Sequence, residues 1–167
     1  MRTLQTAALF ASAGGAALMA GLFCAFAYAV MPGLSRSDDQ AFVRSMQHIN
    51  GVIINGWFLT PFLAPLPLLV LATVLAARGD SPGTLPWIVA ALVLHGLAFL
   101  VTGTRNVPLN EALDRVPQDA TPDRLGSARA AFEGPWVRWN VVRAALHTAS
   151  LGALLPAIHL HGAAVGS

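Results

Sequence analysis

Residues 81–104 read SPGTLPWIVAALVLHGLAFLVTGT, with no Asp, Glu, Lys or Arg among them. A helix needs roughly 20 mostly apolar residues to cross the hydrocarbon of a bilayer. No water reaches the backbone there, so the segment must close its own hydrogen bonds, and helix is the form that does so. Working outward, residues 3–35, 45–77 and 144–167 are also free of charge. The expectation is an all-α, multi-pass integral membrane four-helix bundle, one domain over residues 1–167, whose first partner is the lipid bilayer.

Composition agrees. The chain of 167 residues is 55% hydrophobic and 11% charged, against about 25% charged for a soluble domain. All ten basic residues are arginine, and eight acids leave a net charge of only +2. That is no basic patch, and nucleic acid is excluded as a partner. Cys24 is the sole cysteine. It rules out an intrachain disulfide or a thiolate cluster and reads as packing. Arg2, the apolar run behind it and Ala25-Phe26-Ala27 imitate a secretory signal. The run exceeds the usual apolar core of such a signal, about 7–15 residues, so it reads as a retained first span. Ala13, Ala17 and Gly21 would let another helix approach it closely, and a homo-oligomer is compatible with that.

Along the chain, the first span runs from about Leu4 to Val30 and ends at Met31-Pro32-Gly33. Ser37-Asp38-Asp39-Gln40 has the form of a capping box with Ser37 as N-cap. It opens a short amphipathic helix to about Asn50, with Phe42, Met46 and Ile49 on one face. That helix lies on the membrane surface or leads straight into the second span, about Gly51 to Ala77. Pro61, Pro65 and Pro67 predict a bend in the second span. A turn at residues 78–83 precedes the third span, about Leu85 to Thr104. Residues 105–135 are polar; a short helix opens at Thr121-Pro122 and ends at Gly134-Pro135. The fourth span runs from Trp136 to about Ile158, followed by a frayed tail with His159 and His161 at the surface. Arg36, Arg44, Arg105, Arg115, Arg124, Arg129 and Arg138 flank one side, and Arg2 and Arg78 the other. The positive-inside rule then puts the two polar loops in the cytoplasm.

That connectivity gathers polar side chains at one membrane face: Gln47, His48, Asn50 and Asn55, then Arg105, Asn106 and Asn110, then Trp136, Trp139, Asn140 and Arg143. Trp136, Asn140, Arg143 and His147 are spaced four, three and four apart and share one helix face. Arg143 lies seven residues into the last span, roughly 10 Å along a helix. A charge at that depth costs about 2.5 kcal/mol or more near the bilayer centre, so it should face the bundle and mark a site. The alternatives are an arginine that snorkels to head groups and amides that satisfy one another as helix glue. His95 and His147 come to similar depth and with His48 supply the only ligands for a copper or iron site, although no carboxylate or cysteine lies within their spans. A hydrogen-bonded core histidine is the other reading of each. His48, beside Gln47 and Asn50, is the best-placed titratable group for proton transfer, or else a solvated residue.

Met31-Pro32-Gly33-Leu34, Met46-Gln47-His48-Ile49-Asn50 with Asn55, Asn106-Val107-Pro108-Leu109-Asn110, and Trp136 with Trp139-Asn140-Val141-Val142-Arg143 together resemble the anthrone-oxygenase-like family, many of whose bacterial members are known only as a domain of unknown function. The resemblance spans nearly the whole chain. It implies a membrane oxygenase or oxidase that acts with O₂ on a small aromatic molecule, as fungal members do in turning an anthrone into an anthraquinone in natural-product biosynthesis. It implies no role for His48 or His147. Proton loss from an anthrone gives an electron-rich carbanion that reacts with O₂ without metal or flavin, so no cofactor is required, although copper or iron stays open. Such a site needs a base, donors to the developing oxyanion and an apolar cavity. His48 is the expected base. Arg143 and Asn140, with Asn50, Asn106 and Asn110, are the expected donors, and Trp139 a ring wall. Gln47, Asn55 and Trp136 complete the expected binding set. A metal-dependent oxidoreductase and a non-enzymatic binding or structural protein are the competing classes.

Overall fold

The charge-free stretches are helices in the computed structural model, which describes residues 1–79 and 83–165, Val165 by its backbone alone. Helix α1 covers Arg2–Leu34, α2 Asp39–Ile53, α3 Gly56–Ala77, α4 Leu85–Asp114 and α5 Pro122–Val165. By length and composition α1, α3, α4 and α5 can each cross a membrane. They form a ring in which α5 packs on α1 and α4, and α3 closes the far side against the same two. Ala8, Ala16, Ala72, Ala76, Ala91 and Ala157 fill the core toward the terminal end. Small side chains let helix backbones approach, which replaces the hydrophobic drive that lipid does not supply. Toward the other end the core turns bulky and aromatic, with Phe26, Met31, Phe42, Phe132 and Trp136.

Three helices run on past their expected ends, two of them at a proline and α4 at the start of a polar stretch. Helix α1 continues through Met31-Pro32-Gly33 to Leu34, with a π-helical turn at Phe26–Val30. Helix α4 continues past Thr104 to Asp114, with a π-helical turn at Thr102–Asn106. Each wide turn ends two residues before a proline, Pro32 or Pro108. A proline ring crowds the carbonyl four residues back, here Tyr28 or Thr104, and the wider turn contains that carbonyl. Helix α5 passes through Gly134-Pro135 unbroken. Gly134 has no Cβ to meet the proline ring, and Ala131, whose carbonyl loses its donor, is exposed.

Helix α3 keeps helical backbone through its prolines: Ala64, between Leu63 and Pro65, has φ −61° and ψ −35°, and its amide donates to the Thr60 carbonyl at 3.0 Å. Helix α1 meets it there: a Cβ on Gly15 would lie 2.5 Å from Pro65 Cγ and 3.0 Å from the Pro61 carbonyl oxygen. Of the turn at 78–83, residues 80–82 lie outside the described set, as do 166 and 167 of the tail. The tail is otherwise helical rather than frayed. His159 is exposed, but His161 is buried with its Nε2 2.8 Å from Thr6 Oγ1, which ties the end of α5 to the start of α1.

Helix α2 is capped by Asp38, whose carboxylate accepts from the Ala41 amide at 2.7 Å. Ser37, the expected cap, instead donates to the Leu34 carbonyl and closes α1. Arg129 on α5 clamps this junction: its guanidinium donates to the Ser35 and Ser37 carbonyls, to Asp39 and to Glu133, and lies over the Phe42 ring. Arg44 donates to the Pro117 and Gln118 carbonyls. Helix α2 is thereby fixed across α4 and α5 as a roof over the polar end of the bundle, and the elbow at Ile54–Asn55 separates it from α3.

Candidate active site

Beneath that roof lies a cavity of about 200 Å³. Each wall is set by a local feature of the chain. The π turn of α1 presents Phe26 and follows Phe23; the π turn of α4 presents Thr102 and Asn106. Helix α5 brings Trp136 and Arg143, helix α2 brings Ile49, Asn50 and Ile53, and α3 brings Phe58.

Arg143 is 6% exposed and no carboxylate pairs with it among the described residues. Its Nε and Nη2 donate to Asn140 Oδ1 at 3.2 and 3.0 Å, and its guanidinium lies over the faces of Phe23 (4.0 Å) and Trp136 (5.1 Å). Aromatic faces stabilise a cation, more so where water is excluded. Asn140 in turn donates to the Phe23 carbonyl at 2.9 Å. It does not line the cavity; it holds Arg143 that does. Trp136 is fixed by its own indole N–H, which donates to Asn110 Oδ1 at 2.7 Å, and by the Asn106 amide, which donates to the Trp136 carbonyl at 3.3 Å. Asn106 Oδ1 is buried without a partner. A buried polar atom left unpaired costs about 1–3 kcal/mol, which a ligand hydroxyl would relieve.

Asn50, Asn106, Asn110, Trp136 and Arg143 therefore meet around one space. Other residues expected beside them do not. His48 is exposed on the outer side of α2, roughly opposite Met46 and Asn50, and does not line the cavity. Gln47 is spent on structure, its amide donating to the Leu113 and Val116 carbonyls. Asn55 caps α3 by accepting from the Trp57 and Phe58 amides at 2.9 and 3.2 Å. Trp139 stacks under Arg105 and Arg138 away from the cavity.

His95 and His147 meet, as their equal depth implied, with ring centroids 4.6 Å apart and both fully buried. Both nitrogens of His147 and Nδ1 of His95 lack partners. The rings cross at 77° edge to face. His48, exposed, does not join them, and no group of three or more possible His, Cys, Asp or Glu ligands occurs among the described residues.

Two acids at the cavity mouth, Glu111 and Asp114, escaped the sequence reading. Asp114 accepts from the Asn50 amide at 3.3 Å. The signal for Asp114 is the spacing Asn106, Asn110, Asp114, four residues at each step, which is a single face once the third span is not stopped at Thr104.

No curated protein and no solved structure matches this chain. The family description anthrone oxygenase matches residues 55–153, from the cap of α3 through Arg143 and His147. That is more than half of the chain, and it belongs to the anthrone oxygenase family.

Proposed function

We propose that this protein is a membrane-embedded oxygenase that uses O₂ on a small, weakly acidic aromatic molecule, with its polar loops on the cytoplasmic side. One observation carries the reading: Arg143 is buried in a mostly apolar cavity, and no carboxylate among the described residues pairs with it. An unpaired buried cation is costly. A phenolate or enolate oxygen supplies the missing charge, and the fork of guanidinium donors suits it. Phe23, Phe26, Phe58 and Trp136 offer ring faces around it. The oxyanion that forms when the substrate loses a carbon-bound proton is then stabilised by a charge set in place beforehand. Family membership supports the reaction type, and the cavity supports an aromatic guest.

The test is O₂ consumption by detergent-purified protein with anthrone-type substrates, with and without a chelator. Chelator-resistant consumption is expected. Loss on chelation and recovery with copper or iron would move the chemistry to the His95–His147 pair. No consumption with any carbon acid of this type, together with no ligand-induced stabilisation, would leave a structural protein.

A further inference from the structure

We infer that Asp114, positioned by Asn50, is the carboxylate that carries protons to and from the substrate carbon in this cavity; the inference rests on the oxygenase reading above. The expected base, His48, points out of the site. Two carboxylates line the cavity instead, and their surroundings separate them. Glu111 pairs with Arg115, just past the end of α4, at 3.5 Å, with both side chains largely in solvent. Asp114 has no cation partner among the described residues. Its Oδ1 is held by the amide of Asn50, which is itself 7% exposed in the cavity wall.

The position of Asp114 is not explained by helix stability. It is the last residue of α4, where the unpaired carbonyls of the final turn disfavour a negative charge and favour lysine or arginine. Its place is explained by the cavity, which then has opposite charges at its ends: Arg143 within, Asp114 at the mouth. A ring ketone with an acidic methylene matches that polarity, with its oxygen toward Arg143 and its methylene toward Asp114.

Each step then has a donor and an acceptor. The Asp114 carboxylate takes one methylene proton, and the electron pair left behind spreads onto the oxygen that faces Arg143. The enolate gives an electron to O₂, and the two radicals join in a carbon–oxygen bond as a peroxide anion. The Asp114 carboxylic acid returns its proton to the outer peroxide oxygen. As carboxylate again, it removes the second methylene proton. That electron pair forms the carbonyl double bond, the oxygen–oxygen bond breaks, and departing hydroxide recovers the proton as water. One O₂ is consumed, the methylene becomes a carbonyl, and one water is released.

Proton transfer can be read apart from oxygenation by working without O₂. Full-length protein in detergent is incubated anaerobically with anthrone in heavy water, and deuterium entry at the methylene is followed above the protein-free rate. Wild-type protein should accelerate exchange. Asp114→Asn should lose about 10²–10⁴ of that acceleration, the usual contribution of a positioned general base, with the same loss in aerobic O₂ consumption and little change in KM. His48→Gln, a change outside the cavity, should exchange as wild type does. Asp114→Ala should recover exchange when formate is added, which a purely structural role would not allow and which covers the case of a poorly folding Asn variant. Wild-type exchange in Asp114→Asn, or transfer of the loss to Glu111→Gln, overturns the assignment while leaving the oxygenase reading intact. Wild-type protein that neither exchanges anthrone nor consumes O₂ with it overturns both.

Discussion

Arg143 shows how far single residues are legible. Its depth and its place on one face with Trp136, Asn140 and His147 follow from spacing, and those four are buried together in α5. His48 shows the opposite failure. Phe42, Met46, Asn50 and Ile53 define the inward face of α2, and two residues beyond Met46 lies half a turn away. The periodicity held that information, but proximity to Gln47 and Asn50 in sequence outweighed it. Asn140 was legible as a buried amide but not as the anchor of Arg143, because its second contact is with the Phe23 carbonyl on another helix. At this scale Arg143→Lys keeps the charge and removes the planar fork. The single ammonium cannot bond Asn140 and an oxyanion in the same geometry. Turnover should fall by about 10²–10³, as for loss of one oxyanion donor, while the melting temperature in detergent stays near wild type. Full turnover in Arg143→Lys would remove it from the role of anion holder.

Helices were easier to find than their ends. Charge-free length predicts four spans, and four are found. The expected ends differ from the observed ones where proline marks a stop, at Pro32 and Pro135, and where polarity does, at Arg105. Pro32 and Pro108 are absorbed by a π turn and Pro135 by a preceding glycine. Sequence alone does not show which of these a proline will receive, because the cost of keeping the helix is offset by packing elsewhere. The π turn in α4 matters for the site. It inserts one residue relative to an α-helix, and one residue is about 100° of rotation at 3.6 residues per turn. Asn110 and Asp114 face the cavity in the phase set by that insertion. Pro108→Ala removes the crowding that favours the wide turn. Relaxation to a regular helix should leave stability equal or higher and should lower O₂ consumption. A more stable variant with unchanged activity would show that the phase of α4 is not set at Pro108.

The whole molecule places its polar groups at one end of an apolar bundle, and the size of the space left there limits what fits. A dry cavity of about 150 Å³ takes up benzene. The cavity of about 200 Å³ therefore encloses little more than one substituted ring, and a three-ring anthrone must leave part of itself in the mouth. That mouth is mixed: Ile54 and Val107 are exposed apolar residues beside Asp114 and Glu111. It suits an amphipathic guest that arrives from the bilayer with its acidic group leading. Phe58 sets one wall, packed edge-on to Phe23 at 6.5 Å and stacked on Phe62 at 5.3 Å. Phe58→Ala should enlarge the enclosed space at a stability cost below the about 3–5 kcal/mol of a fully buried phenylalanine, since Phe58 is only partly buried. The ratio of kcat/KM for anthrone to that for a one-ring carbon acid should then rise, because the larger ring system gains enclosure that the smaller one already has. The comparison is internal to each variant, so partial loss of folded protein cancels. An unchanged ratio would mean that the rings of the substrate do not lie against Phe58, and that the cavity is not where size is read.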